Sequence, residues 1–223
     1  MAVDKAEAAR WFSKAAEQGD AVAMDYLGIY AMDGTGTPRA YAKAMALFRA
    51  SVAAGNASAW VRIAYLYDHG LGVPRDTAKG MALLTKASAE GIADGDAGMA
   101  FHYMVGEGVA RDPVEAMRLF RKAFDNGDYD AAPNIAHLYH VGDGTPQDYA
   151  AALHWYSLSA ERGDPVGMEG VAELYSCGQG VPLDPEAARQ WMRKAADAGN
   201  SDARDWLTTN PRGVCKPCPP PKL

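Results

Sequence analysis

Two ladders of glycine share one period. A Gly-x-Gly occurs at Gly34/Gly36, Gly70/Gly72, Gly106/Gly108, Gly142/Gly144 and Gly178/Gly180, each step being 36 residues (70 − 34, 106 − 70, 142 − 106, 178 − 142). A second ladder, Gly19, Gly55, Gly91, Gly127, Gly163 and Gly199, steps by the same 36. A fixed period of this length marks a repeat architecture, in which one unit cannot bury its own apolar face and must stack on its neighbours.

The period also organises the residues between the glycines. After the second ladder stand Asp20, Asn56, Ile92, Asp128, Asp164 and Asn200, five of which are N-cap residues, so a first helix (helix A) starts there. Asp4, Ala40, Asp76, Asp112, Asp148 and Asp184 cap a second helix (helix B), with Pro113 and Pro185 at its favoured first position. The Gly-x-Gly turns the chain after helix A, and the ladder glycine turns it after helix B.

Apolar slots follow helical spacing. Helix A carries Leu27, Ile63, Met99, Ile135 and Val171, each followed by a small residue, then Tyr67, Tyr103, Tyr139 and Tyr175 four places on. Helix B carries Trp11, Leu47, Leu83, Leu119, Trp155 and Trp191, followed by Phe12, Phe48, Leu84, Phe120, Tyr156 and Met192. These are read as core stripes. The organisation is residues 1–19 as a terminal half repeat, 20–199 as five full helix pairs, 200–209 as a last helix A, and 210–223 as a Pro-rich tail without regular structure. Gly95 and Gly98 predict a short or mobile helix A in the third repeat.

The units IAYLYDHGLGVPRDTAKGMALLTKASAEG and VAELYSCGQGVPLDPEAARQWMRKAADAG resemble the Sel-one-like repeat (SLR) family, relatives of the tetratricopeptide repeats. The resemblance covers about residues 4–208. It implies an all-α fold, a right-handed α-solenoid of antiparallel helix pairs, with helix A faces lining a concave groove. It implies a protein-interaction scaffold or adaptor, of the kind used in bacterial signalling, envelope assembly or toxin immunity, and no enzyme. Ala31 and Tyr30 depart from the Tyr slot, and Thr37 and Thr145 from the loop Val.

Carried onto this chain, the groove slots are four. The first holds Asp25, Val61, Ala97, Pro133 and Glu169; the second Ile29, Tyr65, Phe101, His137 and Glu173. The third holds Met32, Asp68, Met104, His140 and Ser176; the fourth Asp33, His69, Val105, Val141 and Cys177. Unlike the core slots, they vary in chemistry from repeat to repeat. The candidate partner-binding residues are Asp25, Ile29, Met32, Tyr65, Asp68, His69, Phe101, Met104, His137, His140, Glu169 and Glu173. Tyr65, Phe101 and Met104 form an apolar middle suited to anchoring a peptide or helix. His102 replaces a core Leu and is read as a partly buried helix residue with no assigned role.

Other classes of function find little in the sequence. A net charge of −6 offers no electrostatic basis for nucleic-acid binding, and no apolar run approaches a membrane span. No metal or cofactor is expected: His137, His140, Glu173 and Cys177 hold zinc-ligating chemistry, but their spacing matches no metal motif. Catalytic motifs such as Gly-x-Ser-x-Gly and His-Glu-x-x-His are missing. The alternative is a β-lactamase-like hydrolase of the family's cysteine-rich branch, which places paired cysteines in each repeat; this chain has three cysteines in all.

Cys215 and Cys218 lie in the tail, where they are read as a local disulfide, half a metal site or two thiols. The N-terminal repeat end, with Trp11 and Phe12 beside it, is a surface for self-association. A cytoplasmic location is expected of a complete chain, and a periplasmic or secreted one if a leader segment has been removed.

Overall fold

The computed structural model describes residues 5–36 and 38–214. Cys215, Cys218 and the prolines around them lie outside these residues, as does the tail reading that rests on them. Twelve α-helices and one 3-10 turn occur among the described residues, and no strand. They are α1 (Lys5–Glu17), α2 (Ala21–Asp33), α3 (Tyr41–Ala53), α4 (Ala59–His69), α5 (Thr77–Ala89) and α6 (Ala93–Val105). There follow α7 (Pro113–Asp125), the 3-10 turn Tyr129–Ala131, α8 (Ala132–Val141), α9 (Tyr149–Glu161), α10 (Pro165–Cys177), α11 (Pro185–Asp197) and α12 (Ser201–Thr209). The B helices α3, α5, α7, α9 and α11 begin 36 residues apart. The chain divides into two compact units, Met1–Asp112 and Pro113–Leu223.

Each helix starts and stops for a chemical reason. Asp20, Asp76, Asp148, Asp184 and Asn200 accept a backbone N–H of the first turn at 2.8–2.9 Å, which satisfies one of the orphan donors there. Every A helix from α2 to α10 ends on a left-handed glycine, from Gly34 (φ 76°) to Gly178 (φ 64°). Two A helices start later than their caps predict. Asn56 turns its side chain to Ser51 and to the Ser58 N–H, so α4 begins at Ala59. Asp128 accepts from Asp130 N and opens the 3-10 turn instead, leaving Pro133 in the first turn of α8.

One backbone hydrogen bond recurs at every A-to-B connection. The N–H of the helix B cap donates to the carbonyl of the tyrosine slot: Ala40 to Ala31, Asp76 to Tyr67, Asp112 to Tyr103, Asp148 to Tyr139 and Asp184 to Tyr175, at 2.7–3.0 Å. Because it uses only main chain, the loop closes over Ala31 as it does over the tyrosines. The second glycine of each Gly-x-Gly does more than turn the chain. A Cβ on Gly72 would lie 2.7 Å from that of Tyr41, and on Gly144 2.4 Å from the carbonyl carbon of Pro113. Gly108 and Gly180 meet Thr77 and Tyr149 likewise. The loop of one repeat thus rests on the start of the preceding helix B.

Cores form between A and B helices. In the first unit Phe48, Ile63, Leu66 and Leu84 are buried together; in the second, Tyr156, Val171 and Leu174 form one cluster and Met192 and Ala195 another. Gly28, Gly98 and Gly170 admit Phe48, Leu84 and Tyr156 against the helix backbone. Helix α6 runs a full 13 residues, contrary to the short helix expected from Gly95 and Gly98. A Cβ on Gly95 would come within 2.7 Å of Ser88 N, so these glycines are close-packing contacts with α5 and the packing offsets their low helix propensity. Trp11, expected in the core row, is 63% exposed, and α1 contributes no buried residue.

Candidate partner-binding surfaces

In the first unit the groove slots lie on α2, α4 and α6. Ile29, Met32 and Val61 are half-buried and pack against the core cluster. Tyr65 and Phe101 are 45% and 50% exposed, with Val105 at 43% beside them, while Met104 is half-buried. His69 stacks on the Tyr65 ring at 4.1 Å, its Nδ1 3.0 Å from the Tyr65 carbonyl. Asp25 is half-buried; its Oδ1 is fully buried and has no hydrogen-bond partner among the described residues. Burial raises its carboxyl above the usual range, against the opposing pull of Arg62.

Asp68 is committed inside the unit. Its Oδ2 lies 3.1 Å from Nε2 of His102, whose Nδ1 lies 2.7 Å from the Glu107 carbonyl. Both partners of this 4% exposed imidazole offer acceptor oxygens, so the protonated ring donates from both nitrogens. The Asp68 hydrogen bond raises the His102 pKa most; burial opposes it and the Glu107 carbonyl adds to it. Around this pair lies a cleft of about 460 Å³ lined by Asp68, His69, Arg75, Phe101, His102, Val105 and Glu107. Arg75 bridges it, donating to the Asp68 carbonyl and to Glu107, both at 2.7 Å. The signal for His102 was available: Leu66, Leu138 and Leu174 fill its slot elsewhere, and Asp68 supplies the charge that a histidine there pairs with.

In the second unit the slots lie on α8 and α10, and their residues separate. His140 is half-buried, Nε2 3.0 Å from Gln179 Oε1, its ring edge-on to Tyr149 and Tyr156. Glu169 accepts from Asn200 Nδ2 at 2.7 Å. Glu173 and His137 are exposed. Ser176 is buried, with Cys177 Sγ 3.6 Å from its hydroxyl. Among the described residues no three His, Cys, Asp or Glu side chains are placed to hold a metal ion. His137 lines a cleft of about 660 Å³ with Tyr129, Asp130, Pro133, Asn134, Tyr156, Ser159, Arg162, Gly163, Asp164 and Val166. Sequence reasoning took Tyr156 as a core residue and passed over Arg162 altogether.

The Sel1 repeat matches six times, at residues 1–20, 21–56, 58–92, 93–128, 130–164 and 165–200. The chain belongs to the Sel1 repeat family. Its structure is similar to a Sel1 repeat protein from Oxalobacter formigenes, with TM-score 0.76 and 26% identity over 86% of this chain and 78% of that one. It is similar also to c5321, a protective antigen of uropathogenic Escherichia coli with an SLR fold, with TM-score 0.73 and 29% identity over 93% of this chain and 45% of that one. The immunity protein Pa5087 from Pseudomonas aeruginosa shares the fold, with TM-score 0.65 and 17% identity over 99% of this chain and 83% of that one. No curated protein matches the sequence. Sel1 repeat proteins are generally protein-interaction scaffolds, and among the described residues no helix is long and apolar enough to cross a membrane.

Proposed function

We propose that this Sel1 repeat protein is a scaffold or adaptor that binds a partner protein or peptide on its helix A faces. The observation that carries the reading is the pair Tyr65 and Phe101. Both occupy a slot whose chemistry changes from repeat to repeat, and both expose about half their surface beside a cleft. Packing does not need a ring in that slot: Ile29 and Glu173 take it in other repeats. Exposed aromatic side chains beside a concavity are the usual anchors of an interface. Within this class the roles are signalling, envelope assembly or toxin immunity, and the Pseudomonas protein of the same fold is named an immunity protein; a toxin gene beside this one would assign the last.

The test is a display selection of peptides on the wild-type chain, followed by affinity measurement on a Phe101→Ala, Met104→Ala double variant. Loss of an anchor pair weakens selected peptides by about 30-fold, with the far-ultraviolet circular dichroism unchanged. Wild-type affinity in a folded double variant rejects the reading.

A further inference from the structure

The second core slot of helix B holds Phe12, Phe48, Leu84, Phe120 and Met192, and in α9 Tyr156. Packing asks only for an apolar group there, and Phe48 and Phe120 fill it buried. Tyr156 keeps the ring and adds a hydroxyl. The side chain is 5% exposed and is held by Gly170, where a Cβ would come within 2.4 Å of its Cδ1. A buried tyrosine hydroxyl ordinarily finds a partner. The Tyr156 hydroxyl has none among the described residues, yet it is not one of the sealed polar atoms, and Tyr156 lines the cleft of about 660 Å³ in the second unit.

That cleft lies between the 3-10 turn with α8 on one side and the start of α10 on the other. Asp130 and Asp164 line it. Burial, and then the charges of Glu173 and Glu169, push the Tyr156 hydroxyl well above its ordinary range, so it stays neutral and those carboxylates lie within electrostatic reach. Arg162 also lines the cleft, laid over the Tyr129 ring 3.5 Å from its centroid. Asp164 is partly spent on capping α10 and on Ser159; Asp130 and Glu173 are exposed. The surroundings of the unpartnered hydroxyl are therefore net acidic.

We propose that this cleft takes a basic side chain, a lysine or arginine of a partner polypeptide, whose charged head donates to the Tyr156 hydroxyl oxygen in the field of Asp130, Glu169 and Glu173. The proposal deepens the partner-binding reading and rests on it for what carries the side chain. The binding chemistry itself is testable with a small molecule.

The full chain, labelled with nitrogen-15, is titrated with Nα-acetyl-lysine N-methylamide, with the arginine analogue, and with the glutamate analogue as control. The expected result is a saturable shift of the Asn134, His137 and Gly163 amides with a basic analogue and none with the acidic one. Tyr156→Phe weakens the binding about five-fold, as loss of one hydrogen bond does, without lowering the melting temperature, and Glu173→Gln weakens it too. Stronger binding of the glutamate analogue, through Arg162 and His137, overturns the proposal. So does the absence of any shift at the cleft, or Tyr156→Phe binding as the wild type does. The Phe101→Ala, Met104→Ala variant leaves this titration unchanged, so failure here and failure of the peptide-binding reading are separate results.

Discussion

A histidine between two acceptors is a commitment that its neighbours must keep. His102 needs both protons to satisfy Asp68 and the Glu107 carbonyl, and Asp68 needs His102 because its other oxygen is buried without a partner among the described residues. Replacing His102 by the Leu of the sister repeats restores the apolar slot but strands the carboxylate. We expect His102→Leu to lose about 2 kcal/mol at low pH, and Asp68→Ala in the same chain to recover part of it. The pH dependence follows from the raised folded pKa. The ion pair contributes fully below the unfolded value of 6.5, and its contribution is lost as pH rises through the higher folded value. Thermal melts between about pH 5.5 and 8.5 should therefore show the gap between wild type and His102→Leu closing with rising pH; a gap that stays constant or widens contradicts the assignment.

At the scale of the element, each helix B is set at both ends by neighbours in sequence and in space. Where the cap is aspartate it can close the preceding loop through its N–H and the first turn through its carboxylate, as Asp184 does to Tyr175 and Ala187. Asp184→Ala should cost about 1 kcal/mol, since the side-chain cap is lost while the main-chain bond stays. The loop glycine beyond the next helix A is the more demanding position. Gly108 combines φ +72° with a Cβ site 3.0 Å from Thr77, so Gly108→Ala carries backbone strain and a tight contact. It should destabilise by about 2 kcal/mol. Urea unfolding of the two variants checks the ranking: Asp184→Ala the milder, Gly108→Ala the more severe.

For the whole molecule, contacts between successive helices dominate within each unit. Stability in such an array is a sum of local terms. Phe48 is fully buried against Gly28 and the α4 core. Phe48→Ala should cost about 3–5 kcal/mol, and hydrogen exchange should accelerate in α2, α3 and α4 before it does in α9, α10 and α11. Uniform acceleration would mean a single cooperative block instead.

The sequence by itself determined the all-α repeat, its period, the turn glycines and the caps other than those of α4 and α8, because these are set by local chemistry repeated at fixed spacing. It also placed Tyr65 and Phe101 on the helix A faces. It misjudged the length of α6, where glycines that weaken an isolated helix are the contacts that let α5 approach. It misplaced Trp11, whose slot is a core slot only when a neighbour covers it. Only the tertiary structure decided that Asp68, His140 and Glu169 are held within the protein while Tyr65, Phe101, His137 and Glu173 face outward. A slot number says which side of a helix a residue occupies. Whether a partner atom from the next repeat reaches it depends on distances of a few ångströms that periodicity does not carry.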